Sequence, residues 1–330
     1  MKPALFDYIR VTTVDDAIRA LESCNDAKVI AGGQSLVPML NFRMVDTPLF
    51  VDINGIDDLR GITETSNGGL RIGALTRHFE LEVSPLIQER YPLLHEAMKY
   101  VAHLAIRNRG TIGGSISHAD PAAELPALAV LLDAMIVARG PRGERQIAAV
   151  DFFEAPLTTS LEADEIVTAV ELPPLPENSG WGFEEFAQRH GDFAVVGVAA
   201  LVGKYGARIS VFGAHNTPLR AREAEKAFGS GDTNAAAEAL HASTRRSFLM
   251  SADSAHAVHP TSTVVLCGAS FGCRVVAEVM ARDPPPYVSR TIVLCGYPLI
   301  GQSGSSTDRT GHLLRLPADV RARHIVGALD

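Results

Sequence analysis

The chain predicts an α+β fold, with two glycine turns in its first part, a small α+β domain behind a proline-rich boundary, and a partial α/β segment at its end. Three observations predict it. A β-prone run leads through a glycine pair into a helix-like stretch near residue 32, and a second glycine turn follows near residue 112. Between and beyond these turns, hairpins mix with short helices instead of a regular strand–helix repeat. From residue 263 the pattern changes to strand, tight turn, helix and strand, as in a parallel sheet begun in its middle.

Taken in order, residues 27–31 are β-prone and run into Gly32-Gly33-Gln34-Ser35, after which 36–43 has helical apolar spacing. Residues 49–53 form a second strand, and 59–63 pairs with 70–72 across Ser66-Asn67-Gly68-Gly69. Helices follow over 80–87 and 92–103, the latter burying Leu94, Ala97, Val101 and Leu104. The second glycine turn leads to a helix over 121–133, then a hairpin of 135–139 with 146–149 across Gly140-Pro141-Arg142-Gly143, and a strand over 165–172. A proline-rich stretch, 173–180, marks a boundary. Strands over 183–186, 195–202 and 207–212 and helices over 220–227 and 234–241 make the small α+β domain. The tail reads as a strand at 264–267, a helix at 273–280, a strand at 291–295 and a β-prone end. The expected divisions are 1–57, 58–176, 177–243, 244–260 and 261–330.

Composition narrows the function. The 330 residues are 46% hydrophobic and 21% charged, enough apolar material for two or more cores. Thirty lysines and arginines against 38 acids give a net charge of −8, the opposite of a nucleic-acid or anionic-membrane footprint. The longest apolar stretch, 125–138, contains Asp133 and is too short for a bilayer, and the start MKPALFDYIR lacks the core of a signal peptide. A cytoplasmic location is expected. The four cysteines, Cys24, Cys267, Cys273 and Cys295, lack paired metal-ligand spacing, so neither a disulfide scaffold nor a metal site is expected.

A glycine pair between strand and helix lets the backbone approach an anion, because no Cβ intervenes and consecutive N–H groups converge on phosphate oxygens. Two such turns fit a pyrophosphate held from both sides, although either alone also reads as an ordinary strand-to-helix turn. Neither has the G-x-G-x-x-G or G-x-x-x-x-G-K-[ST] spacing, which disfavours a Rossmann or P-loop assignment.

Further motifs stand in order around them. Val29-Ile30-Ala31-Gly32-Gly33-Gln34-Ser35-Leu36 is followed by Asn41-Phe42-Arg43, Val51-Asp52-Ile53-Asn54 and Ile72-Gly73-Ala74-Leu75-Thr76-Arg77. Arg107-Asn108-Arg109-Gly110-Thr111-Ile112-Gly113-Gly114-Ser115, His118-Ala119-Asp120-Pro121-Ala122-Ala123-Glu124-Leu125-Pro126 and Arg189-His190-Gly191-Asp192-Phe193-Ala194 come next. Over about residues 1–243 the chain resembles the FAD-binding medium subunits of molybdenum hydroxylases, of the carbon monoxide dehydrogenase and nicotine dehydrogenase type.

The resemblance implies a two-subdomain, PCMH-type fold with FAD between the subdomains. Residues Val29, Ile30, Ala31, Gly32, Gly33, Gln34, Ser35 and Leu36 would line it on one side, and Thr111, Ile112, Gly113, Gly114 and Ser115 on the other, with backbone amides on the pyrophosphate. Asp120 and Glu124 fall where the family places polar contacts to the ribose and adenosine end. Phe193 matches an aromatic position beside the flavin and reads equally as core among Ala194, Val195 and Val196. Ala187 stands where many relatives carry a lysine. His103 and His118 are expected to be hydrogen-bonded groups beside the glycine motif, and Arg107 and Arg109 either neutralise phosphate or stay solvated. The implied activity is an oxidoreductase relay: electrons arrive from a [2Fe–2S] small subunit, drawn from a molybdenum-cofactor large subunit, and leave through FAD to an external acceptor. The implied assembly is a dimer of heterotrimers, and no general acid or base is required of this chain.

The last third departs from that pattern. Residues 247–260 resemble a short stretch of aspartyl aminopeptidases in which Asp253 matches a metal ligand, but Asp253, His256 and His259 alone do not make a metal site. Gly268-Ala269-Ser270-Phe271-Gly272 between a strand and a helix resembles the nucleophile elbow of α/β-hydrolases, with Ser270 as nucleophile and Asp330 as acid. The histidine of that arrangement follows the acid, whereas His312 and His324 precede Asp330. The alternatives to a flavoprotein are thus a serine hydrolase or a non-catalytic composite chain.

Overall fold

The computed structural model describes residues 2–204, 206–231, 239, 267–269, 291–295 and 321–325. At the N-terminus a three-stranded parallel sheet places Leu49–Asp52 between Asp7–Arg10 and Lys28–Ile30. The helix Val14–Ser23 covers it with Ala17, Ile18, Ala20 and Leu21 buried. The sequence reading included neither the edge strand nor this helix, yet the helix carries its own start signal. Thr13 caps it by accepting from the Asp16 amide, and Asp15 and Asp16 favour the positive end of the helix dipole.

A five-stranded antiparallel sheet follows, in the order Ile62–Glu64, Leu70–Gly73, Ile166–Leu172, Met135–Gly140, Gly143–Ala148. Both predicted hairpins are present, and Ile166–Leu172 joins them. Short helices pack on this sheet around a core that includes Leu70, Ile72, Leu81, Ile87, Leu93 and Leu94. The helix expected over 80–87 is two, His78–Val83 and Pro85–Arg90, because Pro85 lacks an amide and Ser84 starts the second by accepting from Ile87 N. The one expected over 92–103 also divides, into Pro92–Met98 and Leu104–Arg107, with Ala102 at φ +46° between them. Tyr91, buried beneath these helices, donates to the carbonyls of Leu172 and Pro173, and burial pushes its hydroxyl up to about 12.

A four-stranded antiparallel sheet, Gly180–Phe186, Val196–Gly203, Gly206–Phe212 and Leu219–Arg220, carries the helix Arg222–Gly229. It packs against the helix Glu124–Leu131 through Ala127, Ala194, Phe212 and Phe183. Gly197 pairs directly with Phe212, and a Cβ there would overlap that fully buried ring. Gly197→Ala is therefore expected to destabilise the chain by about 1–3 kcal/mol, the usual range for overpacking. The check is a lower denaturant midpoint at unchanged slope.

Of the expected helix over 234–241, Ala239 alone is described, in helical conformation. Three tail strands, Cys267–Ala269, Thr291–Cys295 and Arg321–Ile325, pair in parallel in that order. The first shares Cys267 with the expected strand at 264–267, whose other residues lie outside the described ones. Ser270, Asp330, Asp253, His256, His259 and the helix expected at 273–280 lie outside the described residues. No helix among the described residues is long and apolar enough to cross a membrane.

Candidate functional site

The first glycine turn leaves the strand Lys28–Ile30 and enters the helix Leu36–Asn41. Val29 and Ala31 send their side chains into the N-terminal core, so this segment presents backbone to the site. Gly32 is buried, Gly33 takes the left-handed conformation at φ +71°, and Ile30, Gln34, Ser35 and Leu36 are half-buried. Gln34 Nε2 folds back onto the Gly32 carbonyl at 2.8 Å. Among the described residues the amides of Gly32, Gly33, Gln34 and Ser35 donate to no backbone carbonyl, which leaves four consecutive N–H groups for a ligand.

The second turn is used differently. Thr111 caps the helix Ile112–His118 by accepting from the Gly114 amide at 3.1 Å. The amides of Ile112 and Gly113 donate to the carbonyls of Thr76 and Ala74, at 3.1 and 2.9 Å. With the Ser115 amide donating to the Thr111 carbonyl at 3.0 Å, four amides of the expected pyrophosphate cradle are thus already engaged within the chain. The Thr111 amide and the Ser115 hydroxyl have no such partner among the described residues. Gly113 earns its place by packing: a Cβ there would stand 2.6 Å from Ala74 Cβ and 2.8 Å from its carbonyl oxygen.

The two turns meet back to back. A Cβ on Gly32 would overlap the Arg109 carbonyl oxygen and come within 2.9 Å of Gly110 Cα. Asn54 and Arg77, for which the sequence reading gave no role, tie the turns together. Asn54 Nδ2 donates to the Ala31 carbonyl and to Asp52 Oδ1, both at 2.6 Å. Arg77 donates through Nη2 to Asn54 Oδ1 at 2.7 Å and through Nη1 to the Arg109 carbonyl. Burial raises the Asp52 carboxyl, but hydrogen bonds from Tyr8 and Asn54 and the Arg10 charge more than offset it and hold it below its ordinary value. Under the second turn His78 is buried, its ring nitrogens without a well-formed hydrogen bond among the described residues, and burial drives it down to about 4 against the opposing pull of the Thr111 backbone. It is a neutral imidazole at physiological pH.

Acidic groups collect at the other end of the site. Glu124 opens the helix Glu124–Leu131 and is 7% exposed; burial, then the charges of Glu185 and Asp120, raise it to about 8. Glu185, on the strand Gly180–Phe186, has one buried carboxylate oxygen without a partner, and burial raises it to about 7. No motif pointed to Glu185, since it faces Glu124 only through long-range packing. Asp120 turns its chain locally, accepting from the Ala122 amide at 2.9 Å. The Gly213 amide donates to the Pro121 carbonyl at 2.8 Å and fixes the third sheet to this corner.

The remaining sequence candidates divide. Phe193 is 62% exposed and is not core. His103 is exposed, its ring lacks the expected hydrogen bond among the described residues, and it packs beside Gly191. His118 is half-buried and lowered by burial, against the nearby Asp120 charge. Arg107 is neither solvated nor placed for phosphate: it pairs with Glu82 at 2.8 Å and donates to the carbonyls of Val101 and Ala102. Arg109 is exposed.

These residues fit FAD. Free amides and glycines without a Cβ suit close approach to a diphosphate, and buried carboxyl groups suit the hydroxyls of a nucleotide. Comparison with known proteins agrees. Residues 4–175 match the model of the FAD binding domain in molybdopterin dehydrogenase. The chain is 47% identical over 232 residues to the 6-hydroxypseudooxynicotine dehydrogenase complex subunit alpha of Paenarthrobacter nicotinovorans, covering 68% of this chain and 78% of that one. It is 41% identical to the caffeine dehydrogenase subunit beta of Pseudomonas sp. strain CBB1, covering 67% and 77%. Among solved structures, carbon monoxide dehydrogenase from Hydrogenophaga pseudoflava, lacking the Mo-pyranopterin moiety of its cofactor, superposes with a TM-score of 0.71 at 38% identity, over 73% of this chain and 88% of that one. The comparisons give the hydrolase alternative no support. With its motifs, fold and relatives in agreement, the chain belongs to the family of FAD-binding domains of molybdopterin dehydrogenases.

Proposed function

We propose that this chain is the FAD-binding electron-transfer subunit of a molybdenum-containing hydroxylase or dehydrogenase. In this reading a [2Fe–2S] small subunit delivers electrons drawn from a molybdenum-cofactor large subunit, and an external acceptor takes them away. Bound FAD supplies the chemistry that joins one-electron to two-electron transfer. The observation that carries the reading is the back-to-back contact of the glycine turns, with Gly32 seated on the Arg109 carbonyl and four free amides beside it.

The chain's own residues bind and orient. The amides of residues 32–35 and of Thr111 hold the diphosphate. Near neutral pH Glu124 keeps its proton and donates it in a hydrogen bond, while Glu185 and Asp120 accept from hydroxyls. Exposed Phe193 covers a flat ring. The same proposal keeps divisions near residues 57, 176 and 243, supported by the separate sheets on either side of the first two. It also includes assembly as a dimer of heterotrimers and a cytoplasmic location, the latter supported by the cysteine usage.

The test is the visible absorption of the purified full chain before and after adding FAD. Stoichiometric retention of a flavin band is expected, and a chain that takes up no flavin overturns the reading. Coexpression with the small and large subunits is expected to give one complex in which substrate reduces the flavin.

A further inference from the structure

Positive charge gathers where the glycine turns meet. Arg77 spans them: one N–H holds the second turn at the Arg109 carbonyl, another holds Asn54, which grips the first turn at the Ala31 carbonyl. A guanidinium carries five N–H donors, and the other three on Arg77 have no partner among the described residues. Arg60 donates to the Asn54 carbonyl at 2.8 Å, and its ion pair is a loose 3.6 Å contact to Asp57, whose carboxylate is 95% exposed. The exposed Arg109 side chain makes no ion pair among the described residues. After burial, the charges of Arg60 and Arg109 are the largest influences lowering Arg77, and together they outweigh Glu80 and Asp52. Three cations are therefore near enough to repel one another where the two turns meet, an arrangement an anion relieves.

We infer that Arg77, flanked by Arg60 and Arg109, is a cationic clasp that binds the diphosphate of the dinucleotide and locks the two turns at the spacing it needs. This rests on the FAD reading above. The amides alone would give binding that is nearly independent of salt, whereas the clasp adds a screened charge component. Arg77 also has a geometric part, since its planar fork reaches two acceptors from two separate nitrogens, a spacing that the single nitrogen of a lysine does not reproduce.

The experiment measures FAD binding to the full chain at low and high salt, with inorganic pyrophosphate as competitor, for the wild type, Arg77→Lys, Arg77→Gln and Arg109→Gln. Charge-assisted hydrogen bonds of this kind correspond to about ten- to hundredfold in affinity. Arg77→Gln is expected to weaken FAD and pyrophosphate by that factor and to flatten the salt dependence. Arg77→Lys should keep the salt dependence at reduced affinity. Arg109→Gln removes an exposed side chain and leaves the fold intact, so it tests the charge even if Arg77→Gln does not fold; it should weaken the salt dependence. Wild-type FAD binding with unchanged affinity and salt dependence in the variants overturns the clasp and leaves the FAD reading standing. So does a loss in Arg77→Gln and Arg77→Lys alike with the salt dependence intact, which would make Arg77 purely structural. A wild-type chain that binds neither FAD nor pyrophosphate overturns both.

Discussion

A Gly32→Ala chain is expected to purify without flavin and to bind added FAD about ten- to hundredfold more weakly, while keeping its secondary structure. One methyl group suffices because of what it meets. The new Cβ would overlap the Arg109 carbonyl oxygen and press on Gly110 Cα, and both are backbone atoms that no rotamer change can clear. The turns must part. Parting them strains the Arg77 bond to the same carbonyl and the Asn54 bond to Ala31, so the free amides of residues 32–35 lose their position relative to Thr111. An overpacking penalty of about 1–3 kcal/mol converts to that loss of affinity if the bound state bears it. Gly182→Ala is the control, since nothing lies within 4 Å of a Cβ there, and it should retain FAD as the wild type does. Visible absorption and flavin titration of the three chains decide the matter; equal binding by Gly32→Ala would show that the turn contact does not shape the site.

The segments that form this contact were legible in the sequence, but the contact was not. A β-prone run, a glycine pair and helical spacing are local signals, and the strand Lys28–Ile30 and helix Leu36–Asn41 fall where those signals put them. The hairpins legible from turn residues are also present. Helix lengths were overestimated at Pro85 and after Met98, where apolar periodicity continues across a proline or a left-handed residue that ends the hydrogen-bond ladder. What periodicity cannot show is pairing at a distance. Arg107, beside the glycine turn, reads either as a phosphate partner or as a solvated residue, and it is instead bound to Glu82 and two carbonyls. Arg77 stood in a motif without a role until the fold placed it between Asn54 and Arg109. Glu185 carries no local signature, and its partner Glu124 is known only once strand and helix pack together. The resemblance to a family supplied the cofactor, because several motifs in order constrain a fold more than any one of them does.

Replacing Glu124 by glutamine should stabilise the flavin-free chain at alkaline pH and weaken its hold on FAD. The sign follows from the raised carboxyl. At low pH Glu124 is neutral in both states. Between its ordinary value near 4.5 and its folded value of about 8, the unfolded chain ionises it while the folded chain keeps the proton. Stability therefore falls as pH rises through that window and levels off above it. At about 1.4 kcal/mol per unit the full penalty is on the order of 3–5 kcal/mol, since Glu124 is buried with no cation beside it among the described residues. Urea midpoints of the wild type and Glu124→Gln should coincide near the acid end and separate steadily toward pH 8.5, with the variant the more stable; parallel curves across that range would refute the assignment. A buried acid that weakens its own fold persists where a ligand uses it, and here the orphaned oxygen of Glu185 and the turn at Asp120 stand beside it. The same variant should bind FAD less well because the amide, which still donates and accepts, puts a second N–H where the acid's O–H oxygen could also accept. Greater stability joined to weaker binding in one substitution would place Glu124 in the cofactor site, whereas a gain in both would make it a structural acid of the helix start.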